Sequence, residues 1–186
     1  MKREVRVIGW DDASFKRKQK SKILLIGVIT RGGNFMDGIL TTKVKYDGLD
    51  ATENIIKSIN KSKHKDQLSY VMTNGISFAG FNLVDIKAVY EGTSLPTLAI
   101  QRKMPDVERF INAMKIFKDF EKRKEIVKNA GKIYRFNKIY YQKAGINKKE
   151  AEDLIKITAT HSNIPEPIRL AHLIASGLSG ESKGRA

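Results

Sequence analysis

The sequence predicts one mixed α/β domain over residues 1–186, with a five-stranded sheet whose first three strands run antiparallel and whose faces carry helices. Three observations predict it. Apolar segments follow the order three strands, helix, strand, helix, strand, helices, and the short connectors between the first three suggest an antiparallel meander. An antiparallel hairpin sheet extended by parallel strands, with helices crossing its faces, satisfies that order. The length of 186 residues, 41% of them hydrophobic, suits one sizeable core.

The first strand is read over residues 4–10, where Val5, Val7, Ile8 and Trp10 put apolar groups on both faces, as a central strand requires. A basic connector, KRKQKSK at 16–22, leads to a second apolar run at 23–30 (ILLIGVIT), too short and too β-branched for a helix. Gly32-Gly33 makes a turn. The third strand is read over 35–46, where Lys43, Val44, Lys45 and Tyr46 alternate, and Asp47-Gly48 closes it. A helix from about Ala51 carries Ile55, Ile56 and Ile59 on one face. A short strand at 68–73, a helix opened by Asn82 and ended near Gly92, and a strand at 95–100 follow. Beyond Pro105 the pattern is mostly helical, broken by Gly131 and an aromatic stretch at 133–141. Two late helices are placed near 148–160 and 167–176, and the tail GESKGRA is expected to fray.

The totals restrict the function classes. The formal net charge of +15, with a pI near 9.9, favours polyanions and above all nucleic acid, although a lysine excess also serves solubility. With no cysteine, disulfides, thiolate metal sites and a cysteine nucleophile are excluded. No apolar run approaches a membrane span and the N-terminus shows no signal-peptide core, so a cytoplasmic protein without membrane contact is expected. An oligomer is compatible with the sequence.

Asp11 and Asp12 end an apolar strand, where carboxylates are costly unless neutralised. A divalent cation would do that, and solvent-facing acids at a strand end are the simpler alternative. Glu53 stands in the first turn of the following helix, three residues after Asp50, which also matches a capping box. Asn74-Gly75 ends the fourth strand, the position at which open α/β sheets bind ligands. The loop from Gly75 to Phe81 (GISFAGF) is rich in small residues. Gly75 and Gly80 let backbone N–H groups approach a ligand, and Phe78 and Phe81 either stack on a base or fill the core. Asn82 and Asp85 read as a cap pair. Arg102 and Lys103, after the strand at 95–100, and the KRKQKSK connector could hold phosphates or be ordinary solvated charge. His64, His161 and His172 have no zinc-ligand spacing.

Read together, the strings GWDDASF, VITRGGNFMDG, YDGLDATE, TNGISFAGFNLVDI, LPTLAIQRK and IPEPIRLAHLIASGLSGESKGRA resemble a largely archaeal family labelled endonuclease dU, in order and over nearly the whole chain. More remotely, the same stretches are similar to endonuclease V. That resemblance implies an RNase H-like fold and a magnesium- or manganese-dependent endonuclease acting on DNA or RNA, with uracil or hypoxanthine as the natural lesions. It puts the metal-binding and catalytic carboxylates on Asp11 and Glu53 and phosphate contact on Arg102. The reading of the residues adds Asp12 as a further metal ligand, Asn74 as the catalytic residue that orients a metal-bound water, an extruded base held by Gly75, Phe78, Gly80 and Phe81, and Lys103 beside Arg102. Two departures stand out. The strand-end acid of endonuclease V is here the amide Asn74, and its late histidine would fall near residues 143–145, where this chain has none. The alternative they imply is a nucleic-acid-binding protein of the same fold with impaired catalysis.

Overall fold

Strand β1 (Arg6–Asp12) lies mid-sheet because both of its faces are apolar. In the computed structural model, which describes residues 4–178 and 180, Val7 packs with Met72, Leu98 and Ile168, while Ile8 and Trp10 pack with Ile55, Val71 and Val89. The tail at 181–186, expected to fray, lies outside the described residues. On one side of β1, β2 (Ile23–Arg31) pairs antiparallel and β3 (Phe35–Val44) continues the meander. On the other side, β4 (Tyr70–Asn74) and β7 (Thr97–Gln101) run parallel to β1. A small hairpin, β5 (Ser77–Phe78) with β6 (Asn82–Leu83), stands apart from this sheet.

The helices divide between the two faces. Helices α1 (Ala51–Lys61), α2 (Ile86–Thr93), α3 (Val107–Met114) and α4 (Phe120–Asn129) cover the face of Ile8 and Trp10. Helices α5 (Lys148–Thr158) and α6 (Glu166–Gly177) cover the face of Val7. Side chains alternate along a strand, so Val7, Gly9 and Asp11 look toward α6, and Ile8, Trp10 and Asp12 look the other way. None of these helices is long and apolar enough to cross a membrane.

The mixed α/β architecture matches the expectation, with two differences in detail. The sheet has seven strands in the order β3-β2-β1-β4-β7-β9-β8 instead of five. The extra pair, β8 (Tyr134–Phe136) and β9 (Ile139–Ala144), is the aromatic stretch noted in the sequence, added antiparallel to β7. Its Arg, Lys and Gln residues interrupt the apolar alternation that marks a strand, because one face of this edge is only partly covered. The second difference concerns Asn82. It lies in β6, and α2 begins later, where Asp85 accepts from the N–H groups of Lys87 and Ala88. The Asn82 side chain instead serves α1, its Oδ1 accepting from Ala51 N–H at 3.0 Å.

Candidate active site

The strand-end acids diverge as the alternation requires. Asp11 is 3% exposed and turns toward α6, where His172 Nδ1 lies 2.8 Å from its Oδ2. Its Oδ1 accepts from Asn74 Nδ2 at 3.1 Å and from the N–H of Asp12 at 3.0 Å. Asn74 shares the face because it is two residues beyond Met72, which packs in the same cluster as Val7. Residues 11, 74 and 172, remote in sequence, thus form one hydrogen-bonded group at the carboxyl ends of the parallel strands β1 and β4.

The IPEPIRLAH string explains how His172 arrives. Pro165 is the N-cap of α6 and Pro167 occupies its first turn, where a missing N–H costs nothing. Glu166, 3% exposed, pairs bidentately with Arg169 at 2.8 and 2.7 Å. Ala171 and Ala175 let the helix lie close on Ile26 and Val28. The decisive contact is at Gly9, where an added Cβ would stand 2.6 Å from the backbone nitrogen of Ile168. Only a residue without a side chain admits the helix this near the sheet. A histidine therefore does reach the strand-end aspartate, supplied by α6 and not by the region of residues 143–145.

Electrostatics follow from this geometry. The Asp11 carboxylate raises the pKa of His172 by accepting its hydrogen bond, against the opposing effect of burial. The positive charge of Arg102, which lines the same cleft as Asn74, opposes that rise. If Nδ1 carries the proton given to Asp11, Nε2 is the nitrogen left to accept or return a proton. Asp12 accepts from the backbone N–H of Ala79 at 2.5 Å. Burial, reinforced by neighbouring Asp11, pushes its carboxyl up to about 6.

The other expected residues fall differently. Glu53 is exposed in the first turn of α1, on the opposite face from Asp11, and makes no hydrogen bond or ion pair with a described residue. The capping box is not formed, since Asp50 accepts from Lys45 N–H and Asn82 Nδ2 instead of from its own helix. Phe78 is 1% exposed in the core, and Phe81 packs against Phe110 and Phe117 at 5.4 and 5.5 Å, so neither ring is presented to a base. Gly80, at φ +86°, lies against Tyr46 and Asp47 and closes the loop's packing. Gly75 does line a cleft of ≈ 570 Å³ beside Asn74, together with Gln101, Arg102, Lys103 and Phe110. Arg102, Lys103 and the five cations of the 16–22 connector are exposed at this same end of the sheet.

The donor chemistry suits a small divalent cation in part. Asp11 and Asp12 are adjacent acids on opposite faces of β1, Asp11 buried against His172 and Asp12 half-buried against Ala79, and the Asn74 Oδ1 is a further oxygen. A third charged ligand is not in place. Among the described residues no group of three or more His, Asp or Glu is arranged to hold a metal ion.

The sheet order, the crossing helices and the strand-end cluster together define an α/β protein of the endonuclease V fold. More narrowly, the chain belongs to the family described as Endonuclease dU, whose model matches residues 3–179. A UPF0215 protein of Methanothermobacter thermautotrophicus is 45% identical over 191 residues, covering 100% of this chain and 94% of that protein. The crystal structure of a protein of unknown function from Archaeoglobus fulgidus superposes with a TM-score of 0.88 at 41% identity, covering 94% of this chain and 98% of the other. Endonuclease V of Ciona intestinalis, in complex with a 24mer DNA containing an inosine followed by a ribo-adenosine, superposes at 0.58 with 15% identity, covering 90% and 82%. At that identity the last likeness is one of fold.

Proposed function

We propose that this protein is an endonuclease that hydrolyses a phosphodiester bond of DNA or RNA at the Asp11–Asn74–His172 cluster. The observation that carries the reading is the 2.8 Å contact between His172 and a buried Asp11 at the carboxyl ends of the parallel strands. Family membership, the DNA-bound endonuclease V of like fold and the net charge of +15 support it.

In this reading Asp11 fixes the imidazole by its Nδ1 contact, and the Nε2 of His172 takes or delivers a proton as water attacks phosphorus and the alkoxide leaves. Asn74 holds the Asp11 carboxylate in register. Arg102 and Lys103 bind the flanking phosphates as the strand enters, and the cleft at Gly75 receives a base turned out of the stack. Uracil and hypoxanthine are the proposed lesions, since weak pairing lowers the cost of extrusion. We further propose magnesium or manganese as cofactor, with Asp11 as its principal protein ligand and Asp12 and the Asn74 oxygen as the nearest further oxygens, while Glu53 would reach such an ion only through a rearrangement of α1. When bound, such an ion would offset the charge that builds on phosphate.

The test is incubation of native protein with strands carrying one uracil or hypoxanthine, with magnesium, with manganese, and with a chelator. Cutting near the altered base that stops with the chelator is the expected result. Cutting that survives the chelator would remove the metal from the proposal, and no cutting of any strand would remove the nuclease. A second reading, salt-sensitive binding without cleavage, is favoured by one observation. Both oxygens of Asp11 are already engaged within the protein, while Glu53 stands apart.

A further inference from the structure

Between Glu125 and Glu150 the chain carries seven Lys or Arg residues and no acid. The middle of this stretch forms the β8–β9 pair at the far edge of the sheet, to which the reading above gives no task. The two faces of the pair differ. Toward α5, Tyr141 is buried and stacks on Tyr134 at 5.4 Å, and Lys132 and Lys143 each bring Nζ to 5.6 Å from the Tyr134 ring. On the opposite face stand Arg135, Tyr140 and Gln142, as strand alternation requires.

That second face leads out of the cleft. Tyr140 is the register partner of Gln101 on β7 and of Arg135 on β8, so the three form a row across the strands. Gln101 and Gln142 line the cleft, and Gln142 is fixed there by donating to Gly131 O at 3.0 Å. At the outer end Arg135 is exposed, its Cζ 6.0 Å from the Tyr140 ring, and it makes no ion pair with a described residue. Lys138, in the turn that joins the two strands, is also exposed. The row is thus polar at the cleft, aromatic in the middle and cationic at the rim. Asp106, an acid on the cleft wall, is turned to its own helix and accepts from Arg109 N–H.

We infer that the Gln101–Tyr140–Arg135 row is a docking track for a single-stranded stretch of nucleic acid leaving the cleft, with Arg135 and Lys138 on its phosphates and one base against the Tyr140 ring. Charge complementarity with a polyanion selects the class of partner. A track one side chain wide with one accessible ring selects a single strand, since stacking needs an unpaired base. The inference rests on the proposal that the cleft handles nucleic acid.

The experiment measures binding of the full chain, by fluorescence anisotropy, to a short strand that fills only the cleft and to the same strand extended at both ends. Native protein is expected to bind the extended strand more tightly. Arg135→Ala and Tyr140→Ala are expected to weaken the extended strand roughly tenfold while leaving the short one nearly unchanged, and Tyr140→Phe to retain the native value. For Arg135→Ala the dependence of log K on log salt should be shallower by about one phosphate contact. Lys138→Ala, at the exposed hairpin turn, gives an independent check should Tyr140→Ala not fold. Equal binding of the extended strand by native protein and all three alanine variants overturns the track alone. A loss seen only when the extension is duplex overturns the single-strand assignment. Native protein that binds neither strand overturns the nuclease proposal together with this one.

Discussion

Asp11→Asn is expected to lower the single-turnover cleavage rate by roughly 10³-fold, about 4 kcal/mol of activation free energy, without weakening nucleic-acid binding. Asparagine keeps the shape of the side chain and its contact with Asn74 after an amide flip. It removes the charge that orients His172 and holds up its affinity for a proton. The pKa of His172 should therefore fall in the variant, which NMR titration of the imidazole would register separately from activity. Affinity should hold or rise, because one negative charge has left a site meant for a polyanion. A variant that cuts at the native rate would show that the reaction does not pass through Asp11.

Gly9→Ala is the largest stability effect expected. The new methyl would meet the Pro167–Ile168 backbone at 2.6 Å, and a helix start cannot yield as a side-chain tip can. Either β1 or α6 must shift, and both carry core on each side of the contact. Overpacking against backbone costs about 3 kcal/mol or more, roughly 6–12 °C in melting temperature for a chain of this size. The same shift would pull His172 from Asp11, so cleavage should fall in the surviving folded fraction. A circular-dichroism melt superimposable on the native one would show that the sheet and α6 are not in the contact described here.

Much of this fold was legible because the early strands obey simple rules. The apolar residues on both faces of residues 5–10 mark a central strand, and the short connectors suggest a meander. The β8–β9 pair was not legible, since Arg135, Lys138 and Gln142 break the alternation at a half-covered edge. For the site, Asp11 and Asn74 were recoverable as strand ends, and their meeting follows from parallel pairing of β1 with β4. His172 was missed because no local spacing links it to Asp11. The available signal was the pairing of Gly9 with the IPEPIRLAH string, a close-approach glycine two residues before the acid and a proline-started helix. Phe78 and Phe81 illustrate the opposite error. Aromatics in a glycine-rich loop suggest stacking, yet the loop turns inward at Ala79 and Gly80, both at positive φ, and buries or packs its rings.

The most direct test is a double-mutant cycle on single-turnover cleavage, with Asp11→Asn, His172→Gln and the two combined. If the carboxylate and imidazole act as one unit, each single change should cost nearly as much as both, so the double variant is little slower than either single variant. Losses that simply multiply, or a His172→Gln protein as fast as the native one, would contradict it.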